Sequence, residues 1–158
     1  QLYCIKIAFD KILSEPVFTG DSLKTFGSSR GRRFSKIGRI RMELRDIYTQ
    51  LGGDYDVMLR RLRKDSTILM FLEEFAEDDS FEELETAMKG SDDKAAFEAA
   101  HALKGVVLNM EFGFLSKSVT ELTDSLRGGR KPQADELFER VREDYRKTMD
   151  IIKKAVGD

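Results

Sequence analysis

From Met42 onward, apolar residues recur at intervals of three and four, the spacing that places them along one side of an α-helix. Short runs of glycine, serine and aspartate separate the segments that carry this spacing, and Gly52-Gly53, Gly90 and Gly128-Gly129 are strong helix stops. The alternation of apolar and polar residues that is typical of strands is missing from the sequence. The pattern therefore predicts an all-α protein: an antiparallel up-down four-helix bundle with additional short N-terminal helices.

Capping residues set the expected helix boundaries. Ser80, with Glu83 three residues later, has the form of a capping box, so we expect Ser80 to be the N-cap of its helix. Ser91-Asp92-Asp93 supplies a cap and two carboxylates at the start of the next helix, which should run to about Met110. The remaining helices are expected over 42–51, from Asp54, from Asp65-Ser66, from about Leu115 to Gly128, and from near Pro132 to the end.

The first 41 residues differ from the rest in both pattern and charge. They hold 9 Lys/Arg and 3 Asp/Glu, a net charge of +6, whereas residues 42–158 hold 18 and 26, a net charge of −8. Glycine and serine interrupt them, and their apolar residues do not line one face. We expect a poorly ordered basic tail or linker over 1–41 and a helical domain over 42–158. Such a tail can bind nucleic acid or acidic membranes, but we assign it no function and expect neither partner.

Composition narrows the chemistry further. With one cysteine and one histidine, the chain cannot form an internal disulfide or a zinc site of cysteine and histidine ligands. A lone cysteine favours a reducing compartment, and no apolar run approaches the roughly 18–20 residues that cross a bilayer, so we expect a cytoplasmic protein.

The one histidine, His101, lies in the middle of the helix expected over 92–110. At about 100° per residue the apolar residues of this segment cluster on the side opposite His101, which should therefore face outward. The apolar arc is formed by Ala96, Ala99, Leu103, Val106, Val107 and Met110. The residues that share the face of His101 are Phe97, Glu98, Lys104, Gly105 and Leu108.

Each of these neighbours has a plain structural explanation and a functional one. Gly105 costs up to about 1 kcal/mol in a helix, and it either packs against another helix or clears access to His101. Lys104 is either an ordinary surface lysine or a cation for a group attached to the imidazole. Phe97 and Leu108 are either covered by another helix or form an apolar rim that docks a partner, with Glu98 beside them in the docking surface.

The run Ala99-Ala100-His101-Ala102-Leu103-Lys104-Gly105 resembles the signature of histidine-phosphotransfer (HPt) domains, and the likeness extends over about residues 50–130. The resemblance implies a four-helix bundle with an exposed histidine on a middle helix. It implies that His101 is the phosphoacceptor, Lys104 the phosphate-stabilising cation and Gly105 the access glycine. The family usually places glycine soon after the histidine helix, where this chain has Glu111 and then Gly113. Either the break has moved by two residues or the helix runs further.

The resemblance also implies the partners. A receiver domain, alone or within a hybrid histidine kinase, would supply an aspartyl phosphate together with Mg²⁺, so this chain would need no cofactor of its own. Such a module is typically monomeric and has no independent turnover. Two alternatives stay open: a docking module that binds receiver or kinase domains without transfer, and a nucleic-acid-binding helical protein that uses the segment up to Arg41.

Overall fold

The computed structural model describes residues 37–156, with side chains described from residue 44. Within this range the chain is helical, with no strand. Its helices are α1 (Ile37–Gln50), α2 (Tyr55–Leu62), α3 (Asp65–Ala76), α4 (Ser80–Lys89), α5 (Asp93–Asn109), α6 (Gly113–Leu126) and α7 (Ala134–Val156). The predicted all-α class is confirmed. None of these helices is both long enough and apolar enough to cross a membrane.

Helices α4 to α7 form the bundle. Helix α5 packs between α4 and α6, α6 packs on α7, and α7 contacts α4, which closes the ring of four helices. Short loops join helices that pack side by side, so consecutive helices run antiparallel. Helices α1 and α3 pack on α7, and α2 packs on both of them. The predicted up-down bundle with preceding short helices is therefore the observed architecture.

Aromatic rings join the preceding helices to the bundle. Phe75 of α3 lies edge-on to Phe112, with ring centroids 4.9 Å apart, and it also contacts Tyr145 of α7. Tyr145 stacks in turn on Phe81 of α4 at 4.1 Å. These rings are almost fully buried. Tyr145 of α7 therefore contacts both a helix that precedes the bundle and a helix within it, and one continuous core extends from α1 to α7.

Helix α1 begins at Ile37, five residues before the expected start at Met42. The apolar spacing of Ile37, Ile40 and Leu44 continues into Ile47, and Gly38 alone does not end the helix. The helix thus runs across the boundary expected between residues 41 and 42. Residues 1–36 lie outside the described part of the chain, so the basic tail stays a prediction.

The carboxylates expected at the starts of α2 and α5 are present. The side chains of Asp54 and Asp92 accept hydrogen bonds from the first backbone N–H groups of α2 and α5. The expected capping box at Ser80 is wrong: Ser80 is the first helical residue, and its N–H donates to Asp78 Oδ1 at 3.0 Å. The N-cap residue is Asp79, and the Asp78 carboxylate in front of it satisfies the first N–H group of α4. The Ser80 hydroxyl is buried without a hydrogen-bond partner among the described residues.

The loop between α1 and α2 meets the turn between α5 and α6 backbone to backbone. A Cβ atom on Gly53 would lie 1.9 Å from the carbonyl oxygen of Glu111, and one on Gly113 would lie 1.9 Å from that of Gly52. In the same place the N–H of Phe114 donates to the carbonyl oxygen of Leu51 at 3.4 Å. Glycine is required at both positions because backbone atoms cannot move aside as a flexible side chain can.

We expect Gly113→Ala to lower the free energy of unfolding by about 1–3 kcal/mol or more, because its methyl group overlaps the Gly52 carbonyl. Chemical denaturation monitored by circular dichroism measures this. Gly105→Ala is the matched control, since a Cβ atom there meets nothing within 4 Å. Equal stability of the two variants would contradict the backbone contact.

Candidate functional site

Helix α5 buries one side and exposes the other. Its buried residues are Ala96, Ala100, Leu103, Val106 and Val107. His101 is exposed, as the helical spacing predicts. The core arc is rotated slightly from the expected one, because Ala100 is fully buried whereas Ala99 is half-buried. The imidazole therefore lies on the outer surface of the bundle and not in an enclosed cavity.

The imidazole of His101 stacks on the ring of Phe97, one turn earlier in α5. The ring centroids are 5.8 Å apart and the planes meet at 24°. Phe97 is half-buried and packs against the core, and the guanidinium carbon of Arg127 lies 5.9 Å from its ring centroid. Phe97 thus packs on the core and on Arg127, the residue after α6, which restricts the positions open to His101.

Lys104 follows His101 by three residues, so the two side chains lie on neighbouring positions of the helix surface. Within the described part of the chain Lys104 has no ion-pair or hydrogen-bond partner. Glu98, also on this face, faces Lys94 instead, with 3.7 Å between its Oε1 and the lysine Nζ. The ammonium group beside His101 is therefore available to an external anion.

Gly105 lies one turn after His101 and opens onto empty space, because a Cβ atom built on it would find nothing within 4 Å. This excludes the interpretation that Gly105 packs against another helix. The absence of a side chain instead leaves a shallow gap beside the imidazole, into which a partner's backbone can approach.

Leu108 lies two turns after His101 on the same face and is 46% exposed. No other large apolar side chain in the described range is classed as exposed. The apolar rim expected around His101 thus has one protruding member, Leu108, whereas Phe97 lies lower and supports the imidazole.

Both ends of α5 are fixed. At the start, Asp92 Oδ1 accepts from the N–H groups of Lys94 and Ala95, each at 3.0 Å. The neighbouring Asp93 accepts from the backbone N–H of Arg130 at 3.1 Å, which connects α5 to the loop before α7. His101 is therefore presented by a helix whose position is set at its N-terminus.

At the other end α5 closes with a left-handed residue that is not glycine. Glu111 has a φ of 55°, and its N–H donates to Leu108 O at 3.3 Å. The next N–H, of Phe112, donates to Val107 O at 3.1 Å, which completes a Schellman motif. The helix break has therefore not moved to Gly113. Glu111 occupies the position where glycine is expected, at a cost of about 1 kcal/mol for its backbone conformation.

Arg61 of α2 accounts for the side chain at this position. One of its guanidinium nitrogens lies 2.9 Å from Glu111 Oε1, and the other donates to the carbonyl oxygen of Asn109 at 3.3 Å. Arg61 thereby satisfies a free carbonyl at the end of α5 and pairs with the residue that ends it. Burial raises the pKa of the Tyr48 hydroxyl above its ordinary value, and the Glu111 carboxylate nearby raises it further.

Two site residues were not predicted from the sequence. Arg61 lies on α2 and Arg127 directly after α6, and no spacing along the chain relates either of them to His101. Among the side chains that the structure describes, no group of three or more His, Cys, Asp or Glu residues could hold a metal ion.

Comparison with known families agrees with this geometry. The model of the Hpt domain family matches residues 67–150, which is 84 of the 158 residues. The chain therefore belongs to the Hpt domain family, the histidine-phosphotransfer modules of phosphorelay signalling. No curated protein and no solved structure matches the chain significantly.

We expect Phe97→Leu to shift the proton resonances of the His101 imidazole downfield, because the substitution removes the shielding aromatic ring. The chain has one histidine, so these signals are assigned without ambiguity in an NMR spectrum. Leu108→Ala, on the same face but not stacked on the imidazole, is the control and should leave them in place. Unchanged imidazole signals in Phe97→Leu would contradict the stacking.

Proposed function

We propose that this Hpt domain is a phosphorelay intermediate in which His101 accepts a phosphoryl group from an aspartyl phosphate and passes it to another receiver domain. The observation that carries the proposal is the combination on one helix face of an exposed imidazole, a Lys104 with no partner among the described residues and an open Gly105. An exposed histidine alone would be an ordinary surface residue. An unpaired cation and a cleared approach beside it are what a transferred anion and its donor need.

The transfer is a displacement at phosphorus. A lone pair on an imidazole nitrogen of His101 attacks the phosphorus atom, and the new N–P bond forms as the P–O bond to the aspartate breaks. The carboxylate leaves with the electron pair of that bond. A neutral imidazole carries this lone pair on one of its two ring nitrogens. Transfer to a second receiver is the same step in reverse.

Lys104 has the electrostatic role in this proposal. Its ammonium group offsets the negative charge of the phosphoryl group on His101, as a cation three residues away on a helix can. We propose that the receiver supplies Mg²⁺ and the acidic residues that bind it, and that this chain acts by position alone without turnover of its own.

We propose that the partner is a receiver domain, alone or in a hybrid histidine kinase, and that it docks on α5 through Leu108, with Phe97 and Glu98 at the margin. An exposed apolar side chain on the face of the phosphoacceptor suits an interface whose centre must exclude water. The domain itself would act as a monomer, because the receiver has to cover the face that carries His101.

The direct test is incubation with a phosphorylated receiver domain and Mg²⁺. We expect acid-labile label on the native chain and none on His101→Gln, because the amide offers no nucleophilic nitrogen. The variant should fold normally, since His101 is exposed. Absence of label on the native chain, with receiver binding retained, would instead support a docking module that does not transfer.

Gly105→Ala separates stability from function. We expect the free energy of unfolding to rise by up to about 1 kcal/mol, because alanine has the higher helix propensity and its methyl group meets nothing. Transfer to His101 should slow, because the methyl group fills the gap into which the receiver approaches. Thermal unfolding and the transfer rate are measured on the same sample. A rate equal to that of the native chain would remove the access role of Gly105.

A further inference from the structure

Four cations lie within five residues at the end of α2 and in the turn after it. They are Arg60, Arg61, Arg63 and Lys64, and we refer to residues 60–64 as the basic segment. The segment precedes the family-matched region of 67–150. It reaches the histidine helix directly, because Arg61 donates to the carbonyl oxygen of Asn109 at the end of α5.

The basic segment lies close enough to His101 for a docked partner to reach it. Asn109 is eight residues after His101, which corresponds to about 12 Å along an α-helix. A standard protein interface covers about 800 Å² on each partner, so a circular footprint has a radius of about 16 Å. A partner centred on His101 thus covers Leu108 and extends to Arg61 and its neighbours.

The charge left unpaired around this face is positive. Three of the four cations of the basic segment, Arg60, Arg63 and Lys64, are exposed and have no carboxylate partner in the described part of the chain, and the same holds for half-buried Lys104. The neighbouring carboxylates do have partners: Glu98 with Lys94, Asp124 with Arg127, Glu111 with Arg61, and Asp65 with the Tyr55 hydroxyl. Residues 42–158 carry a net charge of −8, so this local excess runs against the charge of the domain.

We propose that the basic segment and Leu108 form one docking surface, which selects receiver domains with an acidic surface beside the phosphoacceptor aspartate. The inference rests on the proposed function, since it names the kind of receiver that His101 serves. Leu108 supplies the apolar contact, and the cations speed association with an acidic partner and oppose a basic one. Arg61, tied to Glu111 and Asn109, keeps the segment in position before the partner arrives, so little order has to be gained on binding.

Charge reversal tests the surface. The test variant combines Arg60→Glu with Lys64→Glu, and the control combines Lys153→Glu with Lys154→Glu on α7, which packs on α4 and α6 across the bundle from α5. All four side chains are exposed, and both variants change the net charge by the same amount. The probe is an unphosphorylated receiver domain with a net negative surface around its aspartate, titrated at low and at high salt.

We expect the test variant to bind the receiver about tenfold more weakly than the native chain at low salt, with a smaller difference at high salt where charges are screened. The control should bind as the native chain does. The milder pair Arg60→Gln with Lys64→Gln should give an intermediate loss, and circular dichroism confirms that each variant is folded. Equal affinities of the test and control variants, or no binding of any acidic receiver by the native chain, would overturn the inference.

Labelling of His101 in the same samples distinguishes this inference from the proposed function. Charge-dependent binding without label on the native chain would leave the docking surface standing and remove the transfer. Label on the native chain with no effect of charge reversal would support the transfer and remove the docking surface.

Discussion

The burial of one side of α5 is the constraint on which the rest of the structure depends. Leu103, Val106 and Val107 face the core, and the helical repeat then places His101 on the outer surface. Each fully buried side chain of this size stabilises the fold by about 1.5–3 kcal/mol. Rotating α5 to bury the imidazole would expose these side chains and so destabilise the fold. Packing of the neighbouring residues in the core therefore keeps the His101 imidazole in solvent.

The helices before the family-matched region complete the end of α5. The α1–α2 loop touches the turn after α5 through Gly53 and Gly113, and Arg61 pairs with the residue that ends the helix. A Glu in the left-handed conformation lowers the stability of the fold by itself. Here Glu111 pairs with Arg61 and so connects α2 to the end of α5. The partly exposed ion pair offsets up to about 1 kcal/mol of the backbone cost.

The fold and the exposed face could be predicted from the sequence because both follow from periodicity. The spacing from Ala96 to Met110 fixes which side of α5 is buried, and the outward directions of His101 and Gly105 follow. The capping box at Ser80 failed because the helix begins one residue earlier than the box requires: Ser80 is already helical, and its own N–H donates to Asp78. Arg61 and Arg127 could not be predicted at all, since their contacts depend on how separate helices pack.

The fixed ends of α5 have a consequence for motion. With Asp92 holding the first turn and the Schellman motif at Glu111 closing the last, the helix moves as part of the bundle and not independently of it. Any group carried on His101 can then reorient quickly only by rotation about the two side-chain torsions of the histidine, and the stacked Phe97 narrows even that range. Because the side chain has so little freedom, a group on His101 is aligned with a partner mainly by rotation of the whole domain and of the partner.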